Sequence, residues 1–260
     1  MPAAAQEAAS IGWEILILTL VHREDLHQWT TVPVELTNPL SILMKLRSFK
    51  PTHICMVGAL AISDKQREGL QGFLRSKSHR QKTTGDTGMS RLIGALEFAT
   101  GAKVIGVHEI LPGLIAPSGI IAGPEISSSV LEDCDFTFGI AKEIGKLDIG
   151  QAAVCAGHRV IGVEDIAGTD ALMARVKEFV KLGITGNGRD PLILAKTKKP
   201  GQPTSTDLPA IGPDTITMAN QAGISVICVE AEHSLLIQKS AIIQKALEFN
   251  ISVIGIKDNG

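Results

Sequence analysis

Asn38-Pro-Leu-Ser-Ile-Leu-Met-Lys-Leu-Arg-Ser-Phe49, followed three residues later by His53-Ile-Cys-Met-Val-Gly-Ala-Leu60, sets the pattern from which the fold is read. Asn is a preferred helix cap, and Pro39 suits the first helical position, where a missing N–H costs nothing. That spacing predicts a helix to about Phe49. The run from His53 is apolar and of strand length. Upstream, Pro2 to Gly12 is Ala-rich and helix-favouring, and Ile15 to Val21 reads as a strand. Downstream, Ser63 is placed to cap a polar helix running to about Ser76. Helix and strand alternate with short connections, which predicts a parallel sheet covered by helices.

The same reading extends along the chain. Ser76 to Thr84 is a basic, polar connection, and Gly85-Asp86-Thr87-Gly88 opens a helix carrying Leu92, Ile93, Leu96 and Phe98. Val104 to Leu111 reads as a strand that ends near His108 and Glu109. The Pro- and Gly-rich stretch from Pro112 to Pro124 suits a domain connection. It divides the chain into residues 1–115 and 116–260. The second part begins with a helix to about Leu147. A hairpin signal follows, Gln151 to Ala156 and Arg159 to Glu164 around Gly157-His158. Next comes an amphipathic helix after Thr169, with Leu172, Val176, Phe179 and Val180 on one face. Strands are expected at Leu192–Lys196, Ile224–Glu230 and Ile251–Ile256, and helices near Pro213–Ala222 and Ser240–Asn250.

Composition excludes several classes of function. Lys plus Arg total 25 and Asp plus Glu 27, a formal charge of -2, so no broad basic surface is available for nucleic acid. Aromatic residues make up 3%, with no Tyr, which argues against a platform of stacked rings for single strands. Cys55, Cys134, Cys155 and Cys228 are far apart in apolar surroundings and read as buried free thiols. No signal peptide is expected, and no apolar run reaches the ~20 residues needed to span a bilayer. A reducing cytoplasm fits these features, with peripheral contact at a membrane surface left open.

Three clusters carry chemistry. The first runs from Lys196 through Lys198-Lys199-Pro-Gly-Gln202 to Asp207-Leu-Pro, where an apolar strand gives way to lysines, turns and an acid. Loops at strand ends supply cations and backbone amides to phosphates, and a fixed carboxylate suits Mg²⁺. An ordinary solvated loop has the same composition. The second is Glu164-Asp165-Ile-Ala-Gly168-Thr169-Asp170, at the start of a helix. Thr169 and Asp170 suit a cap, and equally suit a helix end that holds a phosphate or a carboxylate-bound metal. The third is Asp86, a cap or a ligand contact from the first half. No nucleophile elbow, P-loop or intact dinucleotide fingerprint is present, which leaves metal-assisted attack by water.

Taken together, Leu147-Asp-Ile-Gly-Gln-Ala, Glu164 to Arg175, Lys199-Pro-Gly-Gln, Asp207-Leu-Pro-Ala-Ile-Gly-Pro-Asp-Thr and Val229-Glu-Ala resemble, in order, the two-domain UDP-2,3-diacylglucosamine pyrophosphatases of lipid A synthesis. The resemblance is continuous from about Gly85 and weaker before it. It implies two α/β domains, an N-terminal Rossmann-like parallel sheet and a C-terminal mixed α/β domain, with substrate between them and a homodimeric assembly. It further implies hydrolysis of the diphosphate to UMP and 2,3-diacylglucosamine 1-phosphate (lipid X), with Mg²⁺ as cofactor. By motif matching, Asp207 is the catalytic acid and a metal ligand, and Glu164 and Asp170 are further metal ligands. Thr169, Lys199 and Gln202 are expected to hold phosphates, with Asp86 as a substrate contact. Met1-Pro2 falls where relatives carry a Leu-Pro pair, so the first strand and glycine turn of the N-terminal sheet are missing from this sequence; a start codon further upstream is the expectation, and a first domain without that strand the alternative. The alternative is a lipid- or nucleotide-binding protein that does not turn its ligand over.

Overall fold

The structure, a computed structural model, describes residues 2–58, 85–200, 205 and 208–258; the side chains of residues 85–92 are not described. The chain separates into two compact units between Pro112 and Gly113. The expected helix from Ser63 to Ser76 and the connection to Thr84 lie outside the described residues.

In the N-terminal unit, α1 (Pro2–Ser10) buries Ala4 and Ala8, one turn apart. Strands β1 (Ile17–Thr19) and β2 (Thr31–Pro33) pair in parallel, with Ile17 opposite Thr31. Helix α2 (Pro39–Phe49) starts as its sequence predicts, with Asn38 Oδ1 accepting the Ser41 N–H at 3.2 Å. Strands β3 (His53–Cys55) and β4 (Lys103–Ile105) form a second parallel pair on either side of α3 (Gly85–Thr100) in the sequence. The Arg47 guanidinium donates to the Ala99 carbonyl at 3.0 Å and ties α2 to the end of α3. Among the described residues, this unit is α/β with parallel pairs.

The expected strand from Val104 to Leu111 is corrected. Strand β4 stops at Ile105, and Val107–Ile110 is a single helical turn, α4. The Glu109 carboxylate reaches back to the Gly106 N–H at 2.9 Å and so caps that turn. Local side-chain capping has overridden an apolar run that periodicity alone reads as extended. The Gly106 amide, followed by Lys103 at 3.2 Å, holds the Glu109 carboxyl below its usual range. His108 and Glu109 therefore belong to a helical turn and not to a strand end.

The C-terminal unit is built on one six-stranded sheet in the order β5-β12-β10-β8-β6-β7. Its strands are β5 (Gly119–Ala122), β6 (Ala152–Ala156), β7 (Arg159–Val163), β8 (Leu192–Lys196), β10 (Ile224–Glu230) and β12 (Ser252–Ile256). The central three, β8, β10 and β12, are parallel. β5 and β6 flank them antiparallel, and β6 and β7 form the expected hairpin. Two-residue strands β9 (Ala210–Ile211) and β11 (Leu235–Leu236) form a separate parallel pair.

The period of two along these strands sorts the core into two layers. Leu192, Leu194, Ile227, Val229 and Val253 face α6 (Gly168–Lys181), α7 (Pro213–Gln221) and α8 (Lys239–Glu248). Ile193, Ala195, Val226, Cys228 and Ile254 face Cys134, Phe138 and Ala141 of α5 (Ser128–Lys146). Both faces of the central strands are covered, which is why they read as continuous apolar runs. Each fully buried aliphatic side chain contributes roughly 1.5–3 kcal/mol of transfer free energy. The four cysteines are free, and Cys134, Cys155 and Cys228 are buried. Among the described residues, no helix is long and apolar enough to cross a membrane.

Candidate functional site

The directions of the strands decide where the chemistry gathers. The carboxyl ends of β8, β10 and β12 lie at one edge of the sheet. Because β6 runs opposite to β8, its amino end joins them: the Thr197 N–H donates to the Gln151 carbonyl at 2.9 Å. β7 returns to the same edge, where the Glu164 N–H donates to the Ala152 carbonyl at 2.8 Å. In open α/β sheets, ligands bind outside the carboxyl ends of the parallel strands.

Glu164 sits at this edge and is 8% exposed. Its Oε2 accepts the Gln151 N–H at 3.2 Å. The close approach requires Gly150, since a Cβ there would lie 2.4 Å from the Glu164 carbonyl oxygen. That contact explains the glycine of the Leu147-Asp-Ile-Gly-Gln-Ala stretch. Asp165 accepts the Ala167 N–H at 2.8 Å and pairs with Arg175 at 2.5 Å, and Arg175 also donates to the Val163 carbonyl. The Ala167 amide, then the Arg175 guanidinium, holds the Asp165 carboxyl below its usual range. Asp165 is thus a local cap and tether.

Thr169 is corrected as a cap. Helix α6 begins at Gly168 with Ala167 at its N-cap position, so Thr169 lies inside the first turn and is buried. Asp170 stands exposed in the same turn, where its charge favours the helix dipole. Lys199 follows β8, and its ammonium pairs with Asp148 Oδ1 at 2.8 Å. Asp207 and Gln202 lie outside the described residues, and the Asp86 side chain is not described. The described residues on either side of Asp207, Pro200 and Leu208-Pro209, connect β8 to β9, and the Pro209 carbonyl accepts the Leu235 N–H at 2.8 Å.

Residue-level reading of the sequence missed a second carboxylate. Glu230 ends β10 and is 3% exposed. Its Oε2 accepts the Lys198 N–H at 2.7 Å, and its Oε1 lies 3.3 Å from Lys142 Nζ and 3.6 Å from His233 Nδ1. Lys142 also pairs with Asp258 at 2.7 Å. Burial alone would lower the Lys142 pKa, but the Asp258 and Glu230 carboxylates outweigh it and hold the group charged. The available signal was an acid closing an apolar run, Ile224 to Val229.

Two further polar atoms at this edge, Thr197 Oγ1 and Gln151 Oε1, are buried without a hydrogen-bond partner among the described residues. An unsatisfied buried group costs roughly 1–3 kcal/mol, which a polar ligand would recover. The described residues contain no group of three or more His, Cys, Asp or Glu side chains arranged to hold a metal. Mg²⁺ asks for less, since it takes one or two carboxylates and keeps several waters. The Glu164 carboxylate has the hard oxygen chemistry that such an ion requires.

The fold is that of an α/β protein with cations, backbone amides and carboxylates gathered at one edge of its sheet. Residues 117–254 match the family model of the LpxI C-terminal domain, and the chain belongs to that family. It is 36% identical over 157 residues to the UDP-2,3-diacylglucosamine pyrophosphatase LpxI of Caulobacter vibrioides, a match covering 60% of this chain. The match spans 56% of the relative's length, a little over half.

Proposed function

We propose that the chain hydrolyses the diphosphate of UDP-2,3-diacylglucosamine to UMP and 2,3-diacylglucosamine 1-phosphate, in lipid A synthesis, with the help of a divalent cation such as Mg²⁺. The observation that carries this reading is the match to the LpxI C-terminal domain over the whole six-stranded sheet. The concentration of Glu164, Thr169, Lys199 and buried unsatisfied polar atoms at one sheet edge supports it.

A diphosphate diester repels an incoming oxygen nucleophile, so its charge must be offset while water is held in line. In the proposed reaction, water adds to the phosphorus nearest uridine and the bond to the bridging oxygen breaks. That oxygen leaves with the lipid-bearing phosphate, and the water oxygen stays on UMP. Asp207 orients the water and accepts its proton. Lys199, Thr169 and Gln202 hold the phosphate oxygens, with Asp86 as a further substrate contact. Asp207, Glu164 and Asp170 supply carboxylates to the cation, which when bound neutralises the phosphate oxygens. The same reading carries a homodimer and peripheral contact with a membrane surface.

The test is release of UMP from UDP-2,3-diacylglucosamine by the purified chain with Mg²⁺ supplied. Release is expected, and Asp207→Ala should lower it by on the order of 100-fold or more with the circular dichroism spectrum retained. Ligand binding without any UMP release would favour the non-catalytic alternative. Undiminished release by Asp207→Ala would remove that residue from the mechanism.

A further inference from the structure

Lys198 and Lys199 are consecutive, yet they are gripped from two different parts of the fold. The Lys198 backbone N–H is held by Glu230 at the end of β10, and the Lys199 ammonium is held by Asp148 in the turn between α5 and β6. We propose that Glu230 and Asp148 are positioning residues that together fix the Lys198–Lys199 segment in its ligand-binding geometry. This inference rests on the reading of Lys199 as a phosphate contact.

The Glu230 side of the clamp is a buried charge with a defined task. A carboxylate at 3% exposure must be compensated, and Lys142 does so on Oε1 while sharing its own charge with Asp258. Oε2 is thereby left to accept the Lys198 amide at 2.7 Å. A buried ion pair is often no more stabilising than apolar residues of equal volume, so its use here lies in geometry. It links the carboxyl ends of β8, β10 and β12 to α5.

The Asp148 side is a half-buried pair with an equally defined frame. Asp148 has φ 56°, a left-handed conformation between α5 and β6. The same turn carries Gly145, at which a Cβ would lie 3.7 Å from the Lys199 Cα and from Pro200. It also carries Gly150, pressed against Glu164. One short turn therefore touches both sequence clusters, the lysine segment and the acid before α6. Lys199 is 17% exposed and its long side chain is held before any ligand arrives, which reduces the entropy lost on binding.

Asp148→Asn is the discriminating variant, because Asn tolerates the left-handed conformation and removes the charge of the pair while leaving an oxygen to accept from Lys199. Its KM for UDP-2,3-diacylglucosamine should rise about 10-fold, with kcat within about twofold and Tm unchanged. Glu230→Ala should lower kcat/KM by about 100-fold and speed hydrogen exchange at the Lys198 amide. Combining Glu230→Gln with Lys142→Met keeps a carbonyl for that amide and removes the cation that would be left with Asp258 as its carboxylate partner. This pair should recover kcat/KM to within about fivefold of the parent and restore slow exchange, and it keeps the test open if Glu230→Ala fails to fold. An Asp148→Asn variant with the parent KM, or Lys198 exchange unaltered by loss of Glu230, would overturn the clamp. Exchange is read without substrate, so a parent chain that releases no UMP sinks the proposed reaction while the Lys198 measurement still decides the geometry.

Discussion

The two units of this chain bury their apolar residues in different ways. The C-terminal unit closes one six-stranded sheet between helices on both faces. The described N-terminal residues instead form two short parallel pairs, and their cover is thinner. Of the largest fully buried side chains among the described residues, Leu26 comes from the N-terminal unit and the others, from Leu172 to Ile251, from the C-terminal one. The family model matches residues 117–254, a range that begins just before β5 and ends within β12. A continuous core presents its strand ends at one fixed edge, and that rigidity is what a site of converging charges requires.

Truncation of the core should break this contrast most visibly. Ile227 lies in β10 at 0% exposure with helices packed over it, and Ile227→Ala should cost about 4 kcal/mol. Leu46 lies at 8% exposure in α2, and Leu46→Ala should cost about 2 kcal/mol. Both tryptophans, Trp13 and Trp29, are in the N-terminal unit, so their fluorescence reports that unit alone while circular dichroism reports both. In urea, Leu46→Ala should shift the fluorescence midpoint and Ile227→Ala the dichroism midpoint. Equal shifts of both signals in both variants would show that the units unfold as one.

Two glycines sharpen the comparison with a smaller expected effect. A Cβ at Gly255 in β12 would lie 1.8 Å from the Pro117 carbonyl oxygen, so Gly255→Ala must push the chain before β5 away. About 3 kcal/mol is expected. Gly101 has φ +74° but open space around its Cα, and Gly101→Ala should cost only the left-handed strain of about 1 kcal/mol. Equal losses in urea titrations of the two variants would mean that packing at the β5–β12 edge is no tighter than at an N-terminal turn.

The same difference explains what was legible in the sequence. Strands β8, β10 and β12 could be read because burial on both faces leaves unbroken aliphatic runs, and α2 because Asn38-Pro39 is a local signal. Strands β9 and β11 have two residues each, too few to show any period. The strand assigned from Val104 to Leu111 failed because Glu109 folds back on Gly106, a contact that an apolar count does not register. Thr169 has a cap's chemistry but falls inside α6, because the helix starts one residue earlier, at Gly168. At the site, charged residues after a strand were visible, but their partners were not. Lys199 and Asp148 are 51 residues apart, and Glu230 and Lys198 are 32 apart. Strand order brings them together, and no local spacing encodes it.

The smallest expected effect separates the units by their thiols. Burial, then the nearby negative charge of Glu109, pushes the Cys55 thiol from near 9 to about 11. The thiolate is the reactive form, so at pH 8 Cys55 should alkylate about 100-fold more slowly than an ordinary thiol. Its labelling should rise about tenfold per pH unit up to about pH 11. Cys134, Cys155 and Cys228 have no exposed surface and should react only when the C-terminal unit opens. The folded-state pKa of Cys55 is raised, so its contribution to stability is complete below pH 9 and is lost as pH climbs through about 11. Glu109→Gln removes the smaller of the two causes, so it should move the midpoint of Cys55 labelling slightly downward, as read by mass spectrometry of the alkylated peptides. Cys55 labelling that already levels off near pH 9 would show that the thiol at the end of β3 is open to water.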